Sequence, residues 1–240
     1  MKSMILALLL VSPAAVLQPK PARIVAIGDS ITQGRKGGGA NKPCYSWRHP
    51  FWKKLVDLGA AFDLVGSEKG GFEGDPEWAE YKGKPFDRDH EGHWGWKTSD
   101  IRAKLGGWLA GYSADVALVQ LGTNDAKVLS LDETKAEMAK IVELLRDRNP
   151  KVTVLLGQCF HAWEPFPAMR KKMDELAKEL STRASPVETV DLSPGWVSDP
   201  KAPGTHTLDW VHPNEAGDAR LAELWMAALK PHLKRLGAIK

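Results

Sequence analysis

Two rhythms of apolar residues alternate along this chain. Short apolar runs at residues 23–27, 62–66, 115–121, 151–157 and 187–192 predict β-strands, and 115–121 has the clearest signature of a buried one. Between them, apolar positions recur three and four residues apart, as on one face of a helix. Trp47, Phe51, Trp52, Leu55 and Val56 do so within 46–58, and Ile101, Leu105, Trp108 and Leu109 within 98–109. Residues 131–148, 166–182 and 214–233 repeat the spacing, the last with Leu221, Leu224, Trp225 and Leu229 on one face. Ser46 and Thr98 are candidate N-caps and Gly59 a candidate stop; Asn149-Pro150 ends the third helix, and Pro165 and Pro167 open the fourth. Five strands alternating with helices predict a parallel sheet covered on both faces, its crossovers right-handed. No second core, linker or repeat interrupts residues 19–240, so a single domain is expected.

Two stretches break the rhythm. Residues 36–43 form a Gly-rich connector that lacks the Lys-Ser/Thr ending of a phosphate-binding loop, which excludes a nucleotide site of that kind. Residues 67–93 are irregular, and a connection this long is usually functional or disordered. Asp87, Asp89, Glu91 and Gly92 match the first half of a calcium loop, but its twelfth position is Thr98 where a bidentate Glu is needed. His90 and His93 lack the spacing of a zinc protease. A solvated polar loop is the favoured expectation there.

Composition adds bounds. Hydrophobic residues at 43% and charged residues at 26% are those of a globular protein, and a dispersed net charge of +3 argues against nucleic acid as partner. Lys2, the apolar run 4–11 and the small residues near 12–15 predict a secretory signal over 1–18, too short to span a bilayer. A secreted or periplasmic protein, without stable membrane association after cleavage and monomeric, is expected. Cys44 and Cys159 are the two cysteines; export would permit their pairing, but two free thiols are the default. Ten tryptophans stand against three tyrosines, several of them in loops.

Chemistry gathers at strand ends. Gly28-Asp29-Ser30 follows the first strand, where Gly28 would permit a turn with positive φ. Gly122-Thr123-Asn124-Asp125 follows the third, and Asp209-Trp210-Val211-His212 precedes the last helix. Open α/β sheets bind ligands at this edge. A serine hydroxyl attacks only when an imidazole takes its proton, and a carboxylate must fix that imidazole's tautomer. Ser30, His212 and Asp209 can fill those roles, with the Asn124 amide as donor to an oxyanion. Each residue alone has a plainer explanation: Asp29-Ser30 and Asp209 as caps, His212-Pro213 as a helix entry, Asn124-Asp125 as an Asx-turn. All four plain explanations holding together at corresponding strand ends is the poorer account.

Gly28-Asp29-Ser30, Gly92-His93-Trp94-Gly95-Trp96, Gly122-Thr123-Asn124-Asp125 and Asp209-Trp210-Val211-His212-Pro213 occur in the order of the four blocks of SGNH hydrolases, also called GDSL esterases, and the chain resembles that family over nearly its whole mature length. The resemblance implies a flavodoxin-like three-layer α/β/α sandwich and serine ester hydrolysis without metal or cofactor. It carries over Ser30 as nucleophile and oxyanion N–H, Asn124 as side-chain donor, His212 as general base and Asp209 as its partner. Gly95 is implied as the second backbone donor, with Gly92 as the fallback. Phe62-Asp63-Leu64-Val65-Gly66-Ser67 and His90-Glu91-Gly92-His93-Trp94-Gly95-Trp96 are also similar to carbohydrate esterases that deacetylate xylan, which often carry His-Glu-Gly-His-Ser-Gly-Trp; here Trp94 replaces the serine. Arg48 stands where those relatives carry an Arg after a Tyr, and a structural role is the expectation. Asp29, Trp94, Trp96, Trp163 and Trp210 are the candidate substrate contacts, with ordinary packing the alternative for each tryptophan.

The expected activity is hydrolysis of O-acyl, foremost O-acetyl, esters on a small molecule or polysaccharide. A lysophospholipase or thioesterase acting on longer acyl chains is the alternative enzyme. A catalytically inactive glycan-binding module is the alternative from another class, and the intact Ser30, Asn124, Asp209 and His212 speak against it.

Overall fold

The computed structural model describes residues 20–34, 46–75 and 77–240; the expected signal segment, the 36–43 connector and Cys44 lie outside them. In chain order the elements are β1 (Ala22–Gly28), α1 (Ser30–Gln33), α2 (Arg48–Asp57), β2 (Phe62–Val65), β3 (Glu91–Gly92), α3 (Thr98–Trp108), β4 (Val116–Gln120), α4 (Leu131–Arg148), β5 (Thr153–Gln158), α5 (Phe166–Leu180), β6 (Val187–Asp191) and α6 (Glu215–Arg235). The sheet is parallel, in the order β2-β1-β4-β5-β6. Helices cover both faces, so the architecture is the expected three-layer α/β/α sandwich.

Alternation along β1 divides the core. Ile24 and Ala26 face the layer of α2 and α6, where Trp47, Trp52 and Trp225 are buried. Val25 and Ile27 face α3, α4 and α5 through Ile101, Leu105, Ile141 and Leu176. Facing apolar sets of this kind hold a doubly wound sheet together, because its central strands β1, β4 and β5 are buried on both sides.

Helix ends follow local chemistry. The hydroxyl of Ser130 accepts the Glu133 N–H at 3.2 Å while Glu133 reaches back to the Ser130 N–H at 2.8 Å, a capping box that starts α4. Asn214 caps α6 by accepting the Gly217 N–H at 2.9 Å. Thr98, expected as a cap, is instead the first helical residue of α3, because Asp125 from the loop after β4 accepts its N–H at 3.1 Å.

Residues 67–93 differ from the solvated loop expected. They deliver β3, which pairs with β1 at Ile27–Glu91 and Gly28–Gly92, along the edge where β2 has ended. His90 and Glu91 are thereby fully buried. The Glu91 carboxylate accepts the Ser67 N–H at 2.6 Å and hydroxyl at 2.9 Å, and lies 3.2 Å from His93 Nε2. Asp87 accepts the Leu64 N–H at 2.8 Å, and Asp89 pairs with Lys69 at 3.1 Å. Those three carboxylates therefore serve separate partners rather than one shared site. Cys159 is free and buried, and burial pushes its thiol up to about 12. No helix among the described residues is long and apolar enough to cross a membrane.

Candidate active site

Ser30 is the first residue of α1, two residues beyond the strand end at Gly28. Asp29 caps that short helix: its Oδ1 accepts the Ile31 N–H at 2.9 Å. Asp29 was expected against substrate, yet it is 0% exposed, consumed by the turn beneath the serine. Burial pushes its carboxyl up to about 6, against the pull of the Ile31 N–H. Gly28 is needed for space rather than for a positive φ, since a Cβ there would lie 2.8 Å from the Gln120 carbonyl and would strike Thr32.

Arg48 holds the other end of α1. Its buried guanidinium donates to Thr32 O at 2.8 Å, Gln33 O at 3.1 Å and Arg88 O at 3.0 Å. The last turn of a helix leaves its carbonyls without partners, and a cation suits that end. Burial lowers the Arg48 pKa to about 9, so it stays charged at neutral pH. The sequence marks Arg48 by its place after Tyr45 but not by its partners, which lie in other segments.

The dyad opposite lies on the loop before α6. Asp209 Oδ1 accepts the N–H groups of Val211 at 3.2 Å and His212 at 2.7 Å, and Oδ2 lies 2.8 Å from His212 Nδ1. Burial tends to raise the Asp209 pKa, but these donors, chiefly His212 N–H and its ring, outweigh it and hold the carboxyl below 3.8. An ionised carboxylate only accepts, so Nδ1 carries the proton and Nε2 is left to accept. His212 Nε2 lies 3.0 Å from Ser30 Oγ. The loop is closed by Leu208 N–H donating to His212 O at 2.8 Å. Trp210 takes φ +71° in it, a left-handed conformation that costs a residue with a Cβ about 1–2 kcal/mol.

Asn124 Nδ2 donates to Trp96 O at 3.0 Å, which fixes the amide and spends one of its two hydrogens. Gly95 lies between Trp96 and Trp94, the residue stacked on His212, and is exposed with φ +77°. Among the described residues its N–H has no acceptor. Gly92, the fallback, donates its N–H to His90 Nδ1 at 2.8 Å, and a Cβ there would lie 2.5 Å from Gln33 N. Gly92 is a packing glycine, then, and Gly95 the one with a donor to spare.

The tryptophans divide. Trp94 stacks on His212 with centroids 4.8 Å apart and on Phe72 at 4.6 Å. Trp96 packs inward, stacked on His93 at 4.6 Å and tilted against Trp108. Trp163 and Trp210 are 38% and 50% exposed. Of the large apolar side chains exposed among the described residues, Phe72, Val128, Trp163, Leu208 and Trp210 belong to loops bearing or touching site residues, and Leu236 alone does not. Phe72 and His161 belong to no sequence motif, because each joins the site through tertiary contact.

Comparison with known proteins gives the class. The model of the GDSL-like lipase/acylhydrolase family matches residues 26–220. The chain belongs to that family. It is 26% identical to a family 3 carbohydrate esterase from Talaromyces cellulolyticus, with a TM-score of 0.73 over 89% of this chain and 99% of that one. An acetyl esterase mutant with acetate ion gives the same identity and TM-score over 90% of this chain and 99% of its own. A multidomain esterase of Ruminococcus flavefaciens is 25% identical over 234 residues, 88% of this chain; the chain spans 29% of that relative's length.

Proposed function

We propose that this protein is a secreted serine esterase that removes O-acyl groups, foremost O-acetyl groups, from carbohydrates. The observation that carries the reading is the unbroken relay from Ser30 Oγ to His212 Nε2 at 3.0 Å and from His212 Nδ1 to Asp209 at 2.8 Å. Ser30 attacks the acyl carbonyl as His212 takes its proton, and Asp209 stabilises the imidazolium. The oxyanion is received by the N–H groups of Ser30 and Gly95 and by the free Asn124 amide hydrogen, placed before charge develops. Collapse expels the sugar alkoxide, protonated by His212. Water then attacks the acyl-enzyme with His212 as base, releasing the acid and restoring Ser30.

The likeness to carbohydrate and acetyl esterases supports the acetyl and sugar parts of the reading, and the N-terminal apolar run supports export. The exposed apolar rim would also suit a longer acyl chain, which keeps a lysophospholipase-like activity as the second reading. Hydrolysis of p-nitrophenyl acetate and octanoate by the parent and by Ser30→Ala separates the two. Acetate cleavage that vanishes in the variant, with little octanoate cleavage in the parent, is expected. Preference for octanoate would move the substrate to lipid or thioester. Equal rates in parent and variant would refute the mechanism.

A further inference from the structure

Trp210 occupies a backbone position that a glycine would take without strain, at φ +71° inside the turn between Asp209 and His212. A bulky residue held there is an outlier, and such outliers concentrate where side chains do functional work. The turn dictates the conformation, since Asp209 Oδ1 must receive both following N–H groups. It does not dictate an indole. That indole is 50% exposed, and among the described residues no aromatic ring packs on it. A strained backbone that keeps half of an indole in solvent points to something outside the chain.

The neighbourhood specifies its chemistry. His161 places Nε2 3.4 Å from Val211 O and tilts its ring against Trp163, 4.7 Å away. A second half-exposed indole is thus linked to the His212 turn through one histidine. Both indoles keep a large part of their surface in solvent, at 38% and 50% exposed. Open amphipathic faces suit a ligand that is apolar on one side and hydrated on the other. A pyranose ring, with its C–H face and its rim of hydroxyls, is such a ligand.

We propose that Trp210 is a docking residue for the alcohol side of the ester, stacking a pyranose unit of an oligosaccharide beside the triad. The assignment rests on the esterase reading for its biological sense, but its test needs no turnover. Xylohexaose, which carries no ester, is titrated calorimetrically into the parent, Trp210→Gly and Trp210→Phe, with melting temperatures measured in parallel. The expected result is binding by the parent, at least tenfold weaker binding by Trp210→Gly, and Trp210→Phe within about threefold of the parent. The melting temperature of Trp210→Gly is expected to equal or exceed the parent's, because the left-handed strain is relieved. No binding by the parent, or equal affinity in parent and Trp210→Gly, would overturn the proposal. So would weaker binding accompanied by a lowered melting temperature, which would make Trp210 a packing residue. Failure of the esterase reading would appear separately, as absence of p-nitrophenyl acetate turnover by the parent.

Discussion

The indole of Trp94 lies almost parallel to the imidazole of His212, with ring centroids 4.8 Å apart and planes 11° from parallel. Phe72 continues the stack on Trp94 at 4.6 Å and 15°. The carboxylate that orients His212 is half exposed, at 51% for the Asp209 side chain, so water competes for that bond. Ring stacking supplies a second restraint on the imidazole that water does not weaken in the same way.

Removing that restraint is expected to slow chemistry. An aromatic pair contributes about 0.5–1.5 kcal/mol, so Trp94→Ala should lower kcat on p-nitrophenyl acetate by up to about tenfold. Trp94→Phe, which can still stack, should recover most of the loss. Steady-state kinetics of the two variants check this, and identical kcat for Trp94→Ala and parent would contradict it.

Asn124→Ala removes the proposed oxyanion donor and should cost about 10²–10³ in kcat with little change in KM. The same substitution frees Trp96 O, now held at 3.0 Å, so a melting curve must accompany the kinetics. A KM effect with kcat preserved would assign Asn124 to ground-state binding instead.

Arg48 makes a prediction about stability and positioning together. Arg48→Met would strand the carbonyls of Thr32, Gln33 and Arg88, now held at 2.8, 3.1 and 3.0 Å. Hydrogen bonds to a charged group contribute about 1.5–3 kcal/mol each, and unmet carbonyls add a desolvation cost, so a loss of roughly 3 kcal/mol or more is expected in urea unfolding. Arg48→Lys should recover only part of it, since one ammonium lacks the planar fork that spans three acceptors. Full recovery by lysine would reduce the role of Arg48 to charge.

His49 predicts part of the pH dependence of stability. It is buried among Trp52, Trp78 and Phe86, and burial, then the charges of Lys53 and Arg48, lower its pKa from 6.5 to about 4. The unfolded chain takes up this proton first on acidification, so the contribution is present above about pH 6.5 and lost progressively towards pH 4. Asp29, raised to about 6, acts in the opposite sense: its native carboxyl protonates before the unfolded one and offsets part of that loss. Comparing parent with His49→Gln cancels the Asp29 effect. The fall in melting temperature from pH 7 to pH 5 should be smaller in the variant; an equal or larger fall would contradict this account.

Much of this was legible in the sequence because it is local. The 131–148 periodicity, with Asn149-Pro150 as its stop, gives α4 at its full length, since apolar stripe and terminator agree. Ser30 and Asn124 stand out because motif and strand end coincide, and Asp209 and His212 because their motif stands just ahead of the last helix. What was not legible depends on contacts between distant segments. The two-residue β3 has no periodicity to detect, yet its pairing with Ile27 and Gly28 buries His90 and Glu91, which composition marks as surface residues. Asp29 looks available beside the serine until the Ile31 N–H claims it. Trp94 and Trp96 are alike in sequence, but one stacks on His212 and the other on His93, a difference set by which side of the Gly95 turn each occupies.

The central claim is that Ser30 is the nucleophile, activated by His212 at 3.0 Å. Incubation with diisopropyl fluorophosphate followed by peptide mass spectrometry tests it most directly, because only an activated serine is phosphorylated at a useful rate. The account predicts one adduct, on the peptide containing Ser30, formed in step with loss of esterase activity and strongly slowed by His212→Ala. An adduct on another serine, or inactivation that leaves Ser30 unmodified, would contradict it.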